Sequence, residues 1–257
     1  MSIREHVKNM YIETYNVFSK PSKNLYFFYG HYAYLEEESA EFEVLIEKLS
    51  HYVDFINFED ALEIVKTQTF EKIDKPTVCF SFDDGFNECY THIYPVLKKY
   101  GVNACFFVNP NFVDGDANYV QKFQTNRVHI KKESMSREMI REMSNNGFLF
   151  GSHTLNHANL AKLNHQELIN ELDESKIWLE NLLKKECKYF AWPYGTMKQI
   201  STEALDEACK RYEYVFSAIR NNNYFCCDNP QIINRDHFES FWLESHIRFF
   251  LSQSKRI

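Results

Sequence analysis

Short apolar runs alternate with segments of helical periodicity along most of the chain, and this alternation strongly constrains its fold. The clearest apolar runs, which predict strands, lie at 25–29, 77–82, 104–108 and 189–192. Strands that alternate with helices favour an α/β fold. With 257 residues, the chain is long enough for one barrel-sized core or for two small domains. We favour a single domain over residues 1–257.

Turn and capping signals place the remaining elements. Predicted helices lie at 37–49, 58–66, 136–145, 166–184, 201–211 and 238–251, with a further helix ending near Tyr100. Shorter strands are predicted at 53–56, 148–150, 214–218 and 231–233. Residues 109–132 contain Asn, Asp and Gly without a clear period, so we expect a long irregular loop that shapes specificity.

Charge and composition exclude several classes of function. The 29 Lys and Arg residues against 36 Asp and Glu residues give a formal net charge of −7, so we expect no nucleic-acid partner. No run approaches the roughly 20 apolar residues of a membrane helix, and residues 1–6 lack the apolar core of a signal peptide. Seven cysteines without a framework spacing favour free thiols. We therefore expect a cytoplasmic protein, with action at the inner membrane face as the alternative.

Metal-type ligands follow two of the predicted strands. Asp83 and Asp84 end the run 77–82, and His153 and His157 follow the run 148–150. In a parallel barrel these strand ends share one face, where sites are built. Asp84, His153 and His157 would supply two nitrogens and one oxygen, an open catalytic type of metal site, and Asp83 would take a proton from water. Each motif alone also fits a simpler interpretation, an Asp-Gly turn or two surface histidines.

A third motif, Phe190-Ala-Trp-Pro-Tyr-Gly195, ends another predicted strand. Its aromatic residues could form the wall of a sugar-binding groove, and its turn could present a backbone N–H to an oxyanion. A strand terminator with core aromatics is the simpler alternative.

The three blocks together, Ser81-Phe-Asp-Asp-Gly85, His153-Thr-Leu-Asn-His157 and Phe190–Gly195, resemble the polysaccharide deacetylase family of carbohydrate esterases, the NodB-homology domain. The resemblance extends over residues 25–235 and fits a subset with Phe-Ala-x-Pro-Tyr-Gly. It implies a distorted, incomplete (β/α) barrel. It also implies that Asp83 is the general base, and that Asp84, His153 and His157 hold a divalent metal, commonly Zn²⁺, with Co²⁺ and Ni²⁺ as alternatives. Tyr194 would donate its backbone N–H to the oxyanion.

Two departures from the family pattern concern the base and the acid. The family usually has an arginine, which orients the base, where this chain has Ala191. Arg235 follows a late predicted strand, and we hypothesise that it supplies the missing guanidinium. The family's late general-acid histidine has no clean counterpart. His237, His246, His31 and water are therefore the candidates.

The sequence thus predicts a metal-dependent hydrolase that removes an N-acyl group from an amino sugar in glycan or surface-polysaccharide biosynthesis. Acetyl is the expected group. The substrate could be a nucleotide-linked sugar, a lipid-linked sugar or an oligosaccharide. Two alternatives remain: a catalytically impaired carbohydrate-binding homologue, and an O-deacetylase or deformylase with the same metal chemistry.

Overall fold

A curved ten-stranded sheet forms the centre of the molecule in the computed structural model, which describes residues 20–31, 38–240, 242–253 and 255. Its strands are β1 (Leu25–Gly30), β2 (Asp54–Phe55), β3 (Thr77–Phe82), β4 (Ala104–Val108), β5 (Leu149–Ser152), β6 (Tyr189–Ala191), β7 (Tyr214–Phe216), β8 (Phe225–Cys226), β9 (Asn229–Ile233) and β10 (Asp236–His237). The hydrogen-bonded order is β10-β1-β3-β4-β5-β6-β7-β9-β8, and β2 pairs with β3. Every pairing is parallel except that of β8 with β9.

Helices connect the parallel strands, as crossovers between such strands require. The α-helices are α1 (Glu38–Ser50), α2 (Phe58–Thr67), α3 (Tyr94–Lys99), α4 (Pro110–Asp114), α5 (Ala117–Phe123), α6 (Arg137–Asn145), α7 (His165–Leu183), α8 (Thr202–Arg211) and α9 (Glu244–Leu251). A 3₁₀ turn lies at Phe70–Lys72, and π-helical turns lie at Cys89–Ile93 and Gln124–Val128. No helix in the described ranges is long and apolar enough to cross a membrane.

One bent segment, residues 229–237, bridges the two sides of the sheet. Its first half, β9, pairs with β7, and its second half, β10, pairs with β1. The ladder still begins at β10 and ends at β8, so the ring of hydrogen bonds is not closed. The predicted distorted, incomplete (β/α) barrel is therefore confirmed.

Side chains alternate between the two faces of the strands and form two cores. Tyr26, Phe28 and Phe80 belong to the larger cluster, which includes residues of α1, α6 and α7. Their neighbours Phe27 and Cys79 belong to a second cluster with residues of β4, β6, β7 and β9, inside the barrel. The buried Cys79 thus packs as a small apolar side chain. All seven cysteines are free thiols.

Most predicted elements agree with the structure to within two residues at each end, but the loop predicted for 109–132 is wrong. It contains α4, α5 and a π-helical turn. Phe112 and Phe123 stack with ring centroids 4.2 Å apart, and Phe86 joins them in a separate small core. The Asp116 side chain caps α5 at the Tyr119 N–H. Tertiary packing therefore stabilises helices that are too short to produce a periodic signal.

The predicted closing helix 238–251 also begins too early, because α9 starts at Glu244. Phe238 continues the extended path of β10: its N–H donates to the Tyr29 carbonyl at 2.9 Å, and its ring stacks on Phe28. Strands β8 and β10, of two residues each, were not predicted from the sequence. The amino-terminal residues 1–6 and the predicted helix start at residue 37 lie outside the described residues.

Candidate metal centre and active site

The carboxyl ends of the central strands surround one pocket of about 340 Å³. Its lining includes five of the predicted site residues: Asp83, Asp84, His153, His157 and Tyr194. The sixth, Arg235, is completely buried and contacts Asp83 from behind. The structure therefore brings together residues that are spread over more than half of the sequence.

Arg235 and Asp83 form a bidentate pair, with both N···O distances at 2.8 Å. Two further guanidinium hydrogens go to the Ser217 carbonyl at 2.9 Å and to the Ser81 hydroxyl at 3.0 Å. Burial opposes the charge on Asp83, but the Arg235 cation outweighs it and lowers the pKa of this carboxyl. Asp83 is thus held ionised and in one orientation, as a general base needs to be.

Arg235 enters the site from a different element than the family pattern suggests. Ala191, at the end of β6, lies in the interior cluster together with Phe107 and Phe216. These two rings lie 5.0 Å and 5.9 Å from the Arg235 guanidinium carbon. Because residue 191 is alanine, the end of β6 supplies no cation to the site. The bent segment, residues 229–237, supplies the Arg235 cation from the other side of the sheet.

Asp84, His153 and His157 form a compact buried group beside this pair. Their potential ligand atoms lie within 4.8 Å of one another. Asp84 Oδ1 is 3.2 Å from His157 Nε2 and 3.6 Å from His153 Nε2. Within the described chain it makes no hydrogen bond of acceptable geometry. A buried carboxylate oxygen aimed between two imidazole nitrogens fits a divalent cation, since such sets of nitrogen and oxygen donors are typical of open zinc sites.

The protonation states suit metal binding. Burial lowers the pKa of His153 to about 4, so its ring is neutral at pH 7. Its Nδ1 lies 2.7 Å from the Ala191 carbonyl, which assigns the proton to Nδ1 and directs the Nε2 lone pair at Asp84. Burial disfavours the Asp84 carboxylate, but the nearby His157 lowers the pKa of Asp84 and keeps it ionised.

The two histidines lie on a non-helical turn that follows β5. Thr154 and His157 have φ angles of 64° and 53°, and no helix begins until His165. The Glu171 carboxylate from α7 holds this turn through hydrogen bonds to the Asn156 N–H at 2.8 Å and the Asn156 side chain at 2.7 Å. The Asn109 side chain, which follows β4, donates to the His153 and Thr154 carbonyls.

Tyr194 projects from a strained turn after β6. Its φ angle of 61° is uncommon for a residue other than glycine, and such strain concentrates at functional sites. Only glycine fits at position 195, because the Cβ of any other residue there would lie 1.9 Å from the Ala218 Cβ. The Tyr194 ring is 40% exposed and packs edge-on against His157, with centroids 4.7 Å apart. This turn therefore forms one wall of the pocket beside the metal-type ligands.

The structure distinguishes the three histidines that are candidates for the general acid. His31 and His237 both line the pocket, and Glu239 contacts both. His246 lies in α9 against Trp242 and is not part of the pocket lining. Because Gly30 pairs with Phe82 across β1 and β3, His31 and Asp83 are adjacent, whereas His237 lies one strand farther away.

Comparison with known proteins agrees with this geometry. The family model described as polysaccharide deacetylase matches residues 71–214, more than half of the chain. This chain belongs to the polysaccharide deacetylase family. The poly-beta-1,6-N-acetyl-D-glucosamine N-deacetylase of Staphylococcus aureus is 28% identical over 215 residues, which cover 78% of this chain and 68% of the relative. The structure of IcaB from Ammonifex degensii superposes with a TM-score of 0.70 at 21% identity, covering 91% of this chain and 99% of IcaB.

Another relative, YxkH of Bacillus subtilis, is 28% identical over 137 residues. That match covers 53% of this chain and 43% of YxkH, so this chain corresponds to less than half of YxkH. The family and the enzyme class predicted from the sequence motifs are confirmed, and the similarity to IcaB agrees with the predicted fold.

Three residues that contact the candidate site residues were not identified from the sequence: Asn109, Glu171 and Glu239. Two of these residues could have been identified from their positions in the sequence. Asn109 directly follows a strand, as the predicted site residues do. Glu171 lies on the buried face of α7, in line with Leu168, Leu172 and Ser175. A charged residue in an apolar stripe requires a partner, and here that partner is the histidine turn. Glu239 follows a strand too short to be predicted.

Replacing Arg235 with alanine should destabilise the deacetylase and lower its turnover. The change leaves the Asp83 carboxylate buried without its cation, which costs about 3–5 kcal/mol. The melting temperature should then fall on the order of 10 °C, while metal content in the folded protein stays unchanged. Calorimetry would measure the melting temperature, and elemental analysis would measure the metal content. Arg141→Ala, which removes a surface pair with Glu138, is the matched control and should cost at most about 1 kcal/mol. Wild-type melting and turnover in Arg235→Ala would contradict this role.

Proposed function

We propose that this deacetylase removes an N-acetyl group from an amino sugar in polysaccharide biosynthesis, and that it depends on a divalent metal. The observation that carries the proposal is the juxtaposition, in one pocket, of a buried Asp83–Arg235 pair and a group of two histidines and one aspartate. A base beside an open metal site is the arrangement that hydrolyses an amide with water. The N-deacetylase activity in the name of the Staphylococcus aureus relative supports the choice of an N-acetyl group.

Asp84, His153 and His157 would hold the metal. Their donor set suits Zn²⁺ first, with Co²⁺ and Ni²⁺ as alternatives. When bound, the cation supplies Lewis-acid polarisation of the acyl carbonyl and lowers the pKa of water. Asp83 accepts the proton of the attacking water, and Arg235 keeps that carboxylate ionised and aligned. The Tyr194 N–H donates to the oxyanion. As the C–N bond breaks, the amine takes a proton, and acetate and the free amino sugar leave.

His31 is the proposed proton donor to the leaving amine. Burial opposes its charge, but the hydrogen bond to Glu239 and the charges of Asp84 and Asp83 raise the pKa of His31 to about 9. It is therefore a cation at pH 7, beside the base and on the pocket wall. His237 lies farther from Asp83, and His246 lies outside the pocket, so neither is assigned a part in proton transfer.

Activity should fall as the pH rises through the range in which His31 loses its proton. With its pKa at about 9, His31 is half deprotonated at pH 9 and predominantly in the acid form below it, and a bound cation near Asp84 moves this midpoint toward the ordinary value of 6.5. His31→Gln should lower kcat by about 10²-fold and remove this alkaline limb from the kcat profile. A profile in His31→Gln that still falls between pH 6.5 and 9 would exclude this assignment.

The substrate form and the compartment are further parts of the proposal. An N-acetylated glucosamine oligosaccharide is the first candidate, because the Staphylococcus aureus relative is named for such a polymer. A nucleotide-linked or lipid-linked amino sugar remains the alternative. We also propose action in the cytoplasm or at the inner membrane face, which the seven free thiols support.

The direct test is release of acetate and of a free amine in equal amounts. Zinc-loaded protein would be incubated with β-1,6-linked N-acetylglucosamine oligomers, a nucleotide-linked N-acetyl sugar and a lipid-linked one. Asp83→Asn serves as the inactive control. Acetate without new amine would identify an O-deacetylase, and formate would identify a deformylase. Absence of any acyl release from all of these substrates would favour a carbohydrate-binding homologue and overturn the proposal.

A further inference from the structure

A second set of metal-type ligands lies in the same pocket, on the side formed by β1 and β10. His31 follows β1, His237 ends β10, and Glu239 lies two residues farther on. Their potential ligand atoms are within 4.8 Å of one another. Glu239 Oε1 is 2.7 Å from His237 Nε2 and 3.4 Å from His31 Nδ1. Two imidazole nitrogens and one carboxylate oxygen again match the donors that zinc-type cations bind.

The surroundings of these three residues also favour a cation. Glu239 Oε2 is buried and makes no hydrogen bond within the described residues. The pocket contains the carboxylates of Asp83 and Asp84 as well. Arg235 compensates the first of these through its bidentate pair, and Asp84 belongs to the first ligand group. The second group therefore attracts a cation through its own carboxylate, Glu239.

We propose that His31, His237 and Glu239 form a second binding site for a zinc-type divalent cation, and that its occupancy inhibits the deacetylase. The inhibitory part rests on the proposed function, in which His31 donates a proton to the leaving amine. A nitrogen lone pair of His31 holds either a proton or a cation, so a cation that binds there releases the proton to water. The cation exchanges water ligands for His31, His237 and Glu239, and no oxidation or reduction takes place.

The second site should be the weaker one. A cation already held by Asp84, His153 and His157 repels another in the same pocket. His31 and His237 are also half-buried at the rim, whereas His153 and His157 are buried. The two sites should therefore fill in sequence: the first supports turnover, and the second stops it when zinc is in excess.

Zinc stoichiometry tests the site independently of activity. Equilibrium dialysis over a range of free zinc, read by elemental analysis, should give two zinc ions per wild-type chain and one per His237→Gln chain. Asp84→Ala should keep only the weaker zinc. His165→Gln is the matched control, because His165 also lies 2.7 Å from a carboxylate, that of Glu203, but belongs to no described group of three ligands. His165→Gln should still bind two zinc ions. One zinc in wild type, or two in His237→Gln, would overturn the proposal.

Inhibition tests the consequence. Wild-type acetate release should rise with the first equivalent of zinc and fall as the second binds. Relative to its own maximum, His237→Gln should need at least about tenfold more zinc for the same fractional inhibition. Equal inhibition of both proteins would refute the inhibitory role. If one-zinc enzyme releases no acetate from any substrate, the proposed function fails, and the stoichiometries still decide whether the second site exists.

Discussion

Asp84→Ala is expected to remove the tightly bound metal and with it the activity. Asp84 supplies the only oxygen of its ligand group and lies within 3.6 Å of both histidine nitrogens. Without it, two imidazoles remain, and a pair of nitrogens does not hold a cation against dialysis. Metal content after dialysis in metal-free buffer should fall from about one equivalent to near zero, and turnover should fall about 10³-fold or more.

The control for this change is Asp60→Ala, which removes an exposed carboxylate from α2. It should leave both metal content and turnover at wild-type values. Wild-type protein that takes up no zinc, cobalt or nickel on reconstitution would argue against the metal centre. Full retention of metal in dialysed Asp84→Ala would exclude Asp84 as a ligand.

Asp83→Asn should separate chemistry from metal binding. The amide keeps the shape of the carboxylate and one acceptor for Arg235, but it cannot take a proton from water. We therefore expect turnover to fall by about 10³-fold, within the range attributed to a positioned general base. Metal content should stay at the wild-type level, because Asp83 is not a member of the ligand group.

Stability offers a second measurement on the same variant. Asp83→Asn leaves the buried Arg235 cation without its counter-charge, so the melting temperature should also fall. Asp173→Asn alters a partly exposed pair with Arg211 and should change neither property appreciably. Appreciable turnover in Asp83→Asn, with metal bound, would exclude Asp83 as the base.

The parts of the molecule that the sequence predicts well are those with a local signal. Strand β4 was predicted at its observed bounds, 104–108, because a run of buried apolar residues ends in turn chemistry. The Asp83–Asp84 and His153–His157 motifs were found for a related reason: they follow strands, and parallel strands bring their ends together. The structure places these side chains in one pocket.

What the sequence could not predict depends on contacts between distant segments. The position of Arg235 against Asp83 was a hypothesis from its place after a strand, and only the bend between β9 and β10 produces it. The helices α4 and α5 depend on the packing of Phe112, Phe123 and Phe86. Glu239 is brought to His31 by pairing between β1 and β10, which a two-residue strand does not reveal.

The bent closing segment also determines when the enzyme becomes competent during synthesis. Arg235 and Asp83 are separated by 152 residues in the sequence. Contacts over such a separation form late, because loop-closure entropy opposes them until the intervening chain has folded. A growing chain can complete β3 and display Asp83 long before its guanidinium partner leaves the ribosome. Hydrolytic competence should therefore appear only after the segment that carries Arg235 has been made and has packed against β1 and Asp83.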